Sequence, residues 1–316
     1  MAYKYGILST SSIAPRFIAA LRQAGVGEIV ALSSRTLQKA QEKAKLWDIP
    51  RAYGAHMQLL EDKDIDVVYI STVNALHYQW AKLALEHGKH VICEKPCTTS
   101  SDQTRALFAL ARQRGLFFIE AQKMLFLPAV IEAKKRIEAG QLGKICKAEL
   151  SHSFDATYNT WMFDAQAGGG PLLSSGIYAV QLMIWLFGEI TQIAGVCQGH
   201  ENGVEKAYTL TGVTQSGVRF TAANSTCEKL ENTAKIYGTK GYLELPEYWK
   251  ARQLILHTQE KEETLRYPCE HELIYEIEHI NKCLQDGHLT SPIVTPALSV
   301  SGIQALESVQ KLWKNT

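Results

Sequence analysis

Over the first 120 or so residues, short runs of apolar, β-favouring residues alternate with stretches whose apolar positions recur at helical spacing. Strands are predicted at Lys4–Leu8, Glu28–Ser33, Val67–Ser71, His90–Glu94 and Phe117–Glu120. Between the first two, Ile13, Phe17, Ile18 and Leu21 form the apolar stripe of an amphipathic helix, and Ser100 with Gln103 forms a capping-box pattern opening a helix that stops at Gly115. Regular alternation of this kind is the pattern of βαβ units around a parallel sheet. Beyond Pro128 the rhythm changes. One helix leads through Gly140 and Gly143 into β-like segments at Ile145–Phe154, Ile190–Val196, Ala207–Thr214, Val218–Ser225 and Ala234–Tyr237. Strands that follow one another without helices imply an antiparallel or mixed sheet. Helices over His271–Asp286 and Pro296–Lys314 close the chain, the second with Thr295 as N-cap and Pro296 in its first turn. The expected fold is α/β: a parallel-sheet domain over residues 1–121, then an α+β domain with a large, mostly antiparallel open sheet over residues 122–316.

Composition narrows the function. A chain of 316 residues exceeds the usual size of one core, and 46% apolar residues suffice to bury two. The 33 Lys and Arg against 32 acidic residues leave no net field for nucleic acid or an anionic membrane. Apolar stretches such as Leu182–Phe187 are far too short to span a bilayer, and the N-terminus starts directly in a strand without a signal-peptide pattern, so a cytoplasmic location is expected. Seven cysteines without zinc-type spacing read as reduced thiols, and no metal is expected, at Cys93 and Cys97 included.

The candidate chemistry lies at strand ends. His90-Val91-Ile92-Cys93-Glu94-Lys95-Pro96 ends a buried strand in a lysine, and ligands of open parallel sheets sit at the carboxyl ends of the strands. Lys95 is therefore either a group aimed at a ligand or half of an ion pair with Glu94. A dinucleotide fold carries glycines in its first turn. Here the turn is Ser9, Thr10, Ser11, Ser12, Ile13 and Ala14, whose hydroxyls can bond a phosphate or cap the helix. The second strand ends in Ser33, Ser34 and Arg35 where NAD-specific folds carry an acidic residue for the ribose 2′-hydroxyl, so NADP is the expected cofactor, with NAD also allowed. Arg35 offers a fork of donors to a 2′-phosphate, with Lys39 one turn further on.

Thr72, Val73 and Asn74 with His77 form a further strand-to-helix turn, and Gly168-Gly169-Gly170 leads through Ser174 to Tyr178. Read from its neighbours alone, Tyr178 is a core tyrosine of an amphipathic helix. Tyr158, Trp161, Tyr248 and Trp249 are aromatic residues that substrate, core or a dimer could each use.

This order of motifs resembles the Gfo/Idh/MocA oxidoreductases, over nearly the whole chain. The tyrosine at the end of the Gly-rich segment resembles the branch of dimeric dihydrodiol dehydrogenases and NADP-dependent D-xylose dehydrogenases. The resemblance implies a Rossmann domain followed by a substrate-binding and dimerisation domain. It also implies hydride transfer between NADP and a sugar, polyol or cyclic diol, with Lys95 and Tyr178 as catalytic groups. Cofactor contacts are then expected from Ser9, Thr10, Ser11, Ser12, Ile13, Ser33, Ser34, Arg35, Lys39, Thr72, Val73, Asn74, His77, Glu94 and Lys95, in a cytoplasmic homodimer. The chain departs from that pattern at Val73, where the family usually has Pro, and at Ser174, where it usually has Asp. It also has no Lys or Arg between Asp155 and Ala167. Glu120 is read as a structural carboxylate or as compensation for Ser174. The competing function is a non-catalytic nucleotide-binding sensor on the same fold.

Overall fold

The computed structural model of the protein describes residues 2–155, 160–199 and 203–314. They form two compact units, the first running through Gln122 and including His271–Pro296, the second comprising Lys123–Glu270 and the chain from Ala297. Tyr158 lies outside the described residues.

In the first unit, β1 (Tyr3–Leu8), α1 (Ala14–Ala24), β2 (Gly27–Ser33), α2 (Leu37–Leu46), β3 (Arg51–Tyr53), α3 (His56–Glu61), β4 (Val67–Ile70), α4 (His77–Glu86), β5 (His90–Glu94), α5 (Ser101–Arg114) and β6 (Phe118–Ala121) alternate as the hydrophobic pattern requires. The sheet is six-stranded and parallel, in the order β3-β2-β1-β4-β5-β6. Helices cover both of its faces, which is why β4 is four consecutive buried apolar residues rather than an alternating strand. Gly25 and Gly115 end α1 and α5 in left-handed backbone, at φ 64° and 67°. The capping box expected at Ser100 does not form. Ser100 occupies the N-cap position in extended backbone, but its side chain makes no cap bond, and the Thr98 and Thr104 hydroxyls pair with each other and with the Ser100 carbonyl instead.

The second unit begins with α6 (Pro128–Glu138) and β7 (Ile145–Ser153), then α7 (Ile177–Phe187), β8 (Ile190–Gly199), β9 (Glu205–Thr214), β10 (Arg219–Ser225), β11 (Thr233–Gly238), β12 (Gly241–Pro246), β13 (Gln253–Thr258) and β14 (Glu262–Arg266). Its eight strands run β14-β13-β12-β11-β7-β10-β9-β8, antiparallel except for the β7–β10 pair. The sequence reading did not include β3 or β12–β14. Helix α8 (Ile274–Gln285) belongs to the first unit, where the Tyr3 hydroxyl donates to Leu284 O at 3.0 Å and Arg16 pairs with Glu272. A linear division at residue 121 does not anticipate this return. The last helix, α9 (Pro296–Lys314), lies with the second unit and ties to β8 through Trp313, whose indole N–H donates to Gly195 O at 2.8 Å.

Candidate active site

In a sheet of this order the crevice for a dinucleotide opens at the carboxyl ends of β1 and β4, where successive crossovers leave in opposite directions. Ser9 follows β1 with a φ of 101°, a backbone region that suits glycine and costs another residue about 1–3 kcal/mol. The turn thus keeps the conformation of a glycine-rich loop with serine in it. Its backbone N–H donates to Ser33 O at 3.2 Å, and Ser11 Oγ donates to Ser71 Oγ at 2.8 Å, which ties the turn to β2 on one side and β4 on the other. Helix α1 then starts with Ile13 at the N-cap position, Pro15 in its first turn, no capping side chain and no acidic residue. In that first turn the Ala14 N–H bonds Ser11 O, the Arg16 and Phe17 N–H groups bond Ile13 O, and Pro15 has none, so contacts to an anion fall to the turn residues ahead of the helix. Ser12 is exposed there. These features fit a pyrophosphate, although the G-x-G-x-x-G pattern is missing.

At the end of β2, Ser33 and Ser34 are buried while Arg35 and Lys39 are exposed. Ser34 N–H donates to Tyr53 O at 3.0 Å, and its hydroxyl lies 3.4 Å from that of Thr10. Thr36 caps α2 by accepting from the Lys39 N–H, so Arg35 sits just ahead of a fixed helix start. No carboxylate stands at this strand end, and a 2′-phosphate fits it better than a bare ribose.

Across the sheet, the turn after β4 and the end of β5 are stapled together by His77. Its ring is buried, with Nδ1 2.7 Å from Pro96 O and Nε2 3.0 Å from Thr72 O. Burial holds its pKa below the usual imidazole value, against the pull of the two carbonyls. Asn74 is buried at the start of this turn, directly after Val73. Glu94 accepts from the Tyr69 hydroxyl at 2.6 Å through Oε1 and from the Lys95 N–H at 3.3 Å through Oε2. Tyr69 itself stacks on Phe17, ring centroids 3.8 Å apart, and burial followed by the Glu94 charge pushes its phenol well above the usual range. Behind Pro96, the fully buried Glu120 accepts the Cys97 N–H at 3.0 Å. Lys95 therefore rises from a strand end braced on both sides. The sequence places Tyr69 and Ser71 only as members of a strand and does not single out His56. Ser71 was within reach as a site residue, being the first polar residue after an apolar strand.

The second unit holds the Gly-rich segment. Gly170, at φ 97°, sits so close to the buried Glu205 that a Cβ there would lie 2.4 Å from its Oε1, and Glu205 accepts the Leu172 N–H at 2.6 Å. Burial raises the Glu205 pKa. From Leu172 to Gly176 the chain makes a π-helical turn that runs into α7, where Tyr178 is buried in the first turn. Ser174 donates its hydroxyl back to Gly170 O at 2.8 Å. Of the aromatic candidates, Tyr248 is buried and Trp249 stacks on His152 at 3.6 Å between ring centroids. Among the described residues no group of three or more His, Cys, Asp or Glu could hold a metal ion, and no helix is long and apolar enough to cross a membrane.

A parallel sheet of this order, with a phosphate-type turn at the switch point, defines a dinucleotide-binding domain. The comparisons with known proteins agree. Residues 3–122 match the oxidoreductase family with an NAD-binding Rossmann fold, Gfo/Idh/MocA, and residues 130–244 match the Gfo/Idh/MocA C-terminal domain. Trans-1,2-dihydrobenzene-1,2-diol dehydrogenase of Bos taurus is 36% identical over 98% of this chain and 97% of its own, and that of Mus musculus is 31% identical over the same shares. A 3-ketoreductase from Actinomadura kijaniata, solved with NADP and TDP-benzene, has the same fold, with a TM-score of 0.91 at 23% identity and 98% of both chains covered. A levoglucosan dehydrogenase solved with NADH and levoglucosan has a TM-score of 0.88 at 20% identity, again over 98% of both chains. The chain belongs to the Gfo/Idh/MocA family and is an NAD(P)-dependent oxidoreductase.

Proposed function

We propose that this protein oxidises or reduces a CH–OH group of a sugar, polyol or cyclic diol with NADP, using Lys95 and Tyr178. The observation that carries the reading is Lys95 at the end of β5, its backbone N–H held by Glu94, in a chain 36% identical throughout to a dihydrodiol dehydrogenase. The cofactor supplies the hydride acceptor or donor at nicotinamide C4. Ser9, Ser11, Ser12 and Ile13 hold the pyrophosphate, with Thr10, Ser33, Ser34, Arg35 and Lys39 at the 2′-phosphate and Thr72, Val73, Asn74, His77 and Glu94 shaping the nicotinamide end. During oxidation the Lys95 ammonium donates to the substrate oxygen and stabilises its developing negative charge. Tyr178 takes the hydroxyl proton and returns it in the reverse direction.

Two substitutions test this reading. Tyr178→Phe keeps the ring packing and removes the proton carrier. Across a panel of trans-dihydrodiols, pentoses and polyols it should lower turnover about 100- to 10,000-fold with NADP affinity unchanged. A near-normal rate would remove Tyr178 from the mechanism. Arg35→Ala should weaken NADP by about ten- to hundredfold and leave NAD nearly untouched. Equal affinity of the unaltered protein for the two cofactors would refute the NADP preference.

We further infer a cytoplasmic homodimer. All seven cysteines are unpaired, which suits a reducing compartment. Val196, Thr209, Thr211 and Thr221 are exposed on one face of the eight-stranded sheet, a surface a second copy can cover. Light scattering should give twice the chain mass, and a monomer at every concentration would dispose of the dimer.

A further inference from the structure

The end of β2 holds one more group than the expected cofactor contacts. Ser33 is fully buried, and its Oγ lies 2.8 Å from Nδ1 of His56, the first residue of α3. The imidazole meets the Trp80 ring of α4 edge-on, with centroids 4.9 Å apart. Ser33 also accepts the Ser9 N–H of the phosphate turn through its carbonyl, and its neighbour Ser34 is tied to Tyr53 and Thr10. One histidine is therefore bonded into the short segment that carries Arg35.

We propose that His56 is a specificity-determining residue for the cofactor's 2′-phosphate: through Ser33 it positions the Ser34–Arg35 corner, and it takes up a proton when the phosphate arrives beside Arg35. This inference rests on the NADP reading above. In the free protein two forces keep the ring neutral, first its burial and then the like charge of Arg35. A 2′-phosphate brings about −1.5 to −2 charges to the same corner, so it cancels the Arg35 repulsion and favours the imidazolium.

Of the charged groups on the neighbouring elements, those of β3 and α4 are engaged with other partners, while Lys39 stands with Arg35 on the phosphate side. Arg51 of β3 pairs with Asp62 and Asp64, and the Tyr53 hydroxyl donates to Asp62. On α4, the His77 ring is held between Thr72 and Pro96, and Lys82 pairs with Glu86. Lys39 of α2 is exposed. Proton uptake linked to binding requires the reciprocal effect, an NADP affinity that strengthens as pH falls through the imidazole range. NAD, which lacks the phosphate, has no such dependence.

The test is isothermal titration calorimetry of the full chain with NADP and with NAD near pH 7, in buffers of different ionisation enthalpy, to count the protons exchanged. The phosphate titrates in both proteins, so the readout is the difference between the unaltered protein and His56→Gln, whose amide can still bond Ser33, and that difference belongs to the coupled His56–phosphate pair. NADP binding should take up about half a proton more in the unaltered protein than in the variant, and NAD binding should show no difference. Equal proton counts with NADP still preferred would overturn the role of His56 alone. If the unaltered protein does not prefer NADP, the cofactor reading fails and this inference with it. As a check that needs no variant, the NMR titration midpoint of the His56 ring should rise on adding NADP and stay put on adding NAD.

Discussion

From its own strand Lys95 reads either as a group aimed at a ligand or as half of an ion pair with Glu94, and it is the family resemblance that singles it out. The bracing around it was not legible, since it comes from residues far apart in sequence, Tyr69 on Glu94 and Glu120 on Cys97. A single carboxylate such as Glu120 is read first as structural and second as compensation for Ser174 until a partner is known. That partner is a backbone N–H, and a buried N–H without an acceptor costs about 1–3 kcal/mol. Glu120→Ala should therefore lower stability by about that amount, read as a shift in the urea midpoint. An unchanged midpoint would mean that the turn after Pro96 is held by other contacts. Ser33 is among the contacts the sequence predicts, but its partner His56 is hidden for a similar reason. Each is an ordinary residue of its own element, and only the packing of α3 and α4 on β2 gives the pair a meaning.

At the scale of elements, the parallel sheet was readable because burial on both faces makes its central strands nearly continuous apolar runs. The three-residue β3 is too short for any periodicity, and β14 alternates exposed with half-buried residues as a solvent-facing edge strand does. The segment from Gly168 to Tyr178 shows a different limit. Its glycines announce a turn, yet the reason for Gly170 is Glu205, more than thirty positions downstream. Gly170→Ala adds a Cβ where φ is 97° and Glu205 already stands, so it should destabilise the protein by more than about 1 kcal/mol. Gly217→Ala is the control, since its φ of 81° imposes the same backbone penalty but nothing lies within 4 Å of the added carbon. Equal losses for the two in a urea titration would show that Glu205 yields freely.

On the scale of the whole molecule, the chain builds its first unit from two separated stretches, and the returning stretch brings His279 to a unit that already contains His56, His77 and His90. In all four, burial is the leading cause of a pKa below the usual value of 6.5. A histidine held neutral by the fold binds a proton more readily once unfolded, so the unfolded state gains protons as pH falls. The stability these residues contribute is complete above about pH 6.5 and is lost as pH drops through their lowered folded values. Glu205 in the second unit has the opposite sign. Its raised pKa stabilises the fold below the ordinary carboxylate range and ceases to do so as pH rises through the raised value. Acidification from pH 7.5 to 5.5 should therefore loosen the first unit ahead of the second, and hydrogen exchange should show β1–β6 losing protection before β7–β11. Saturating NADP should restore part of that protection, because a ligand that binds only the folded unit adds its binding free energy to stability. Uniform loss of protection across both sheets would show that these four histidines do not govern the acid limb.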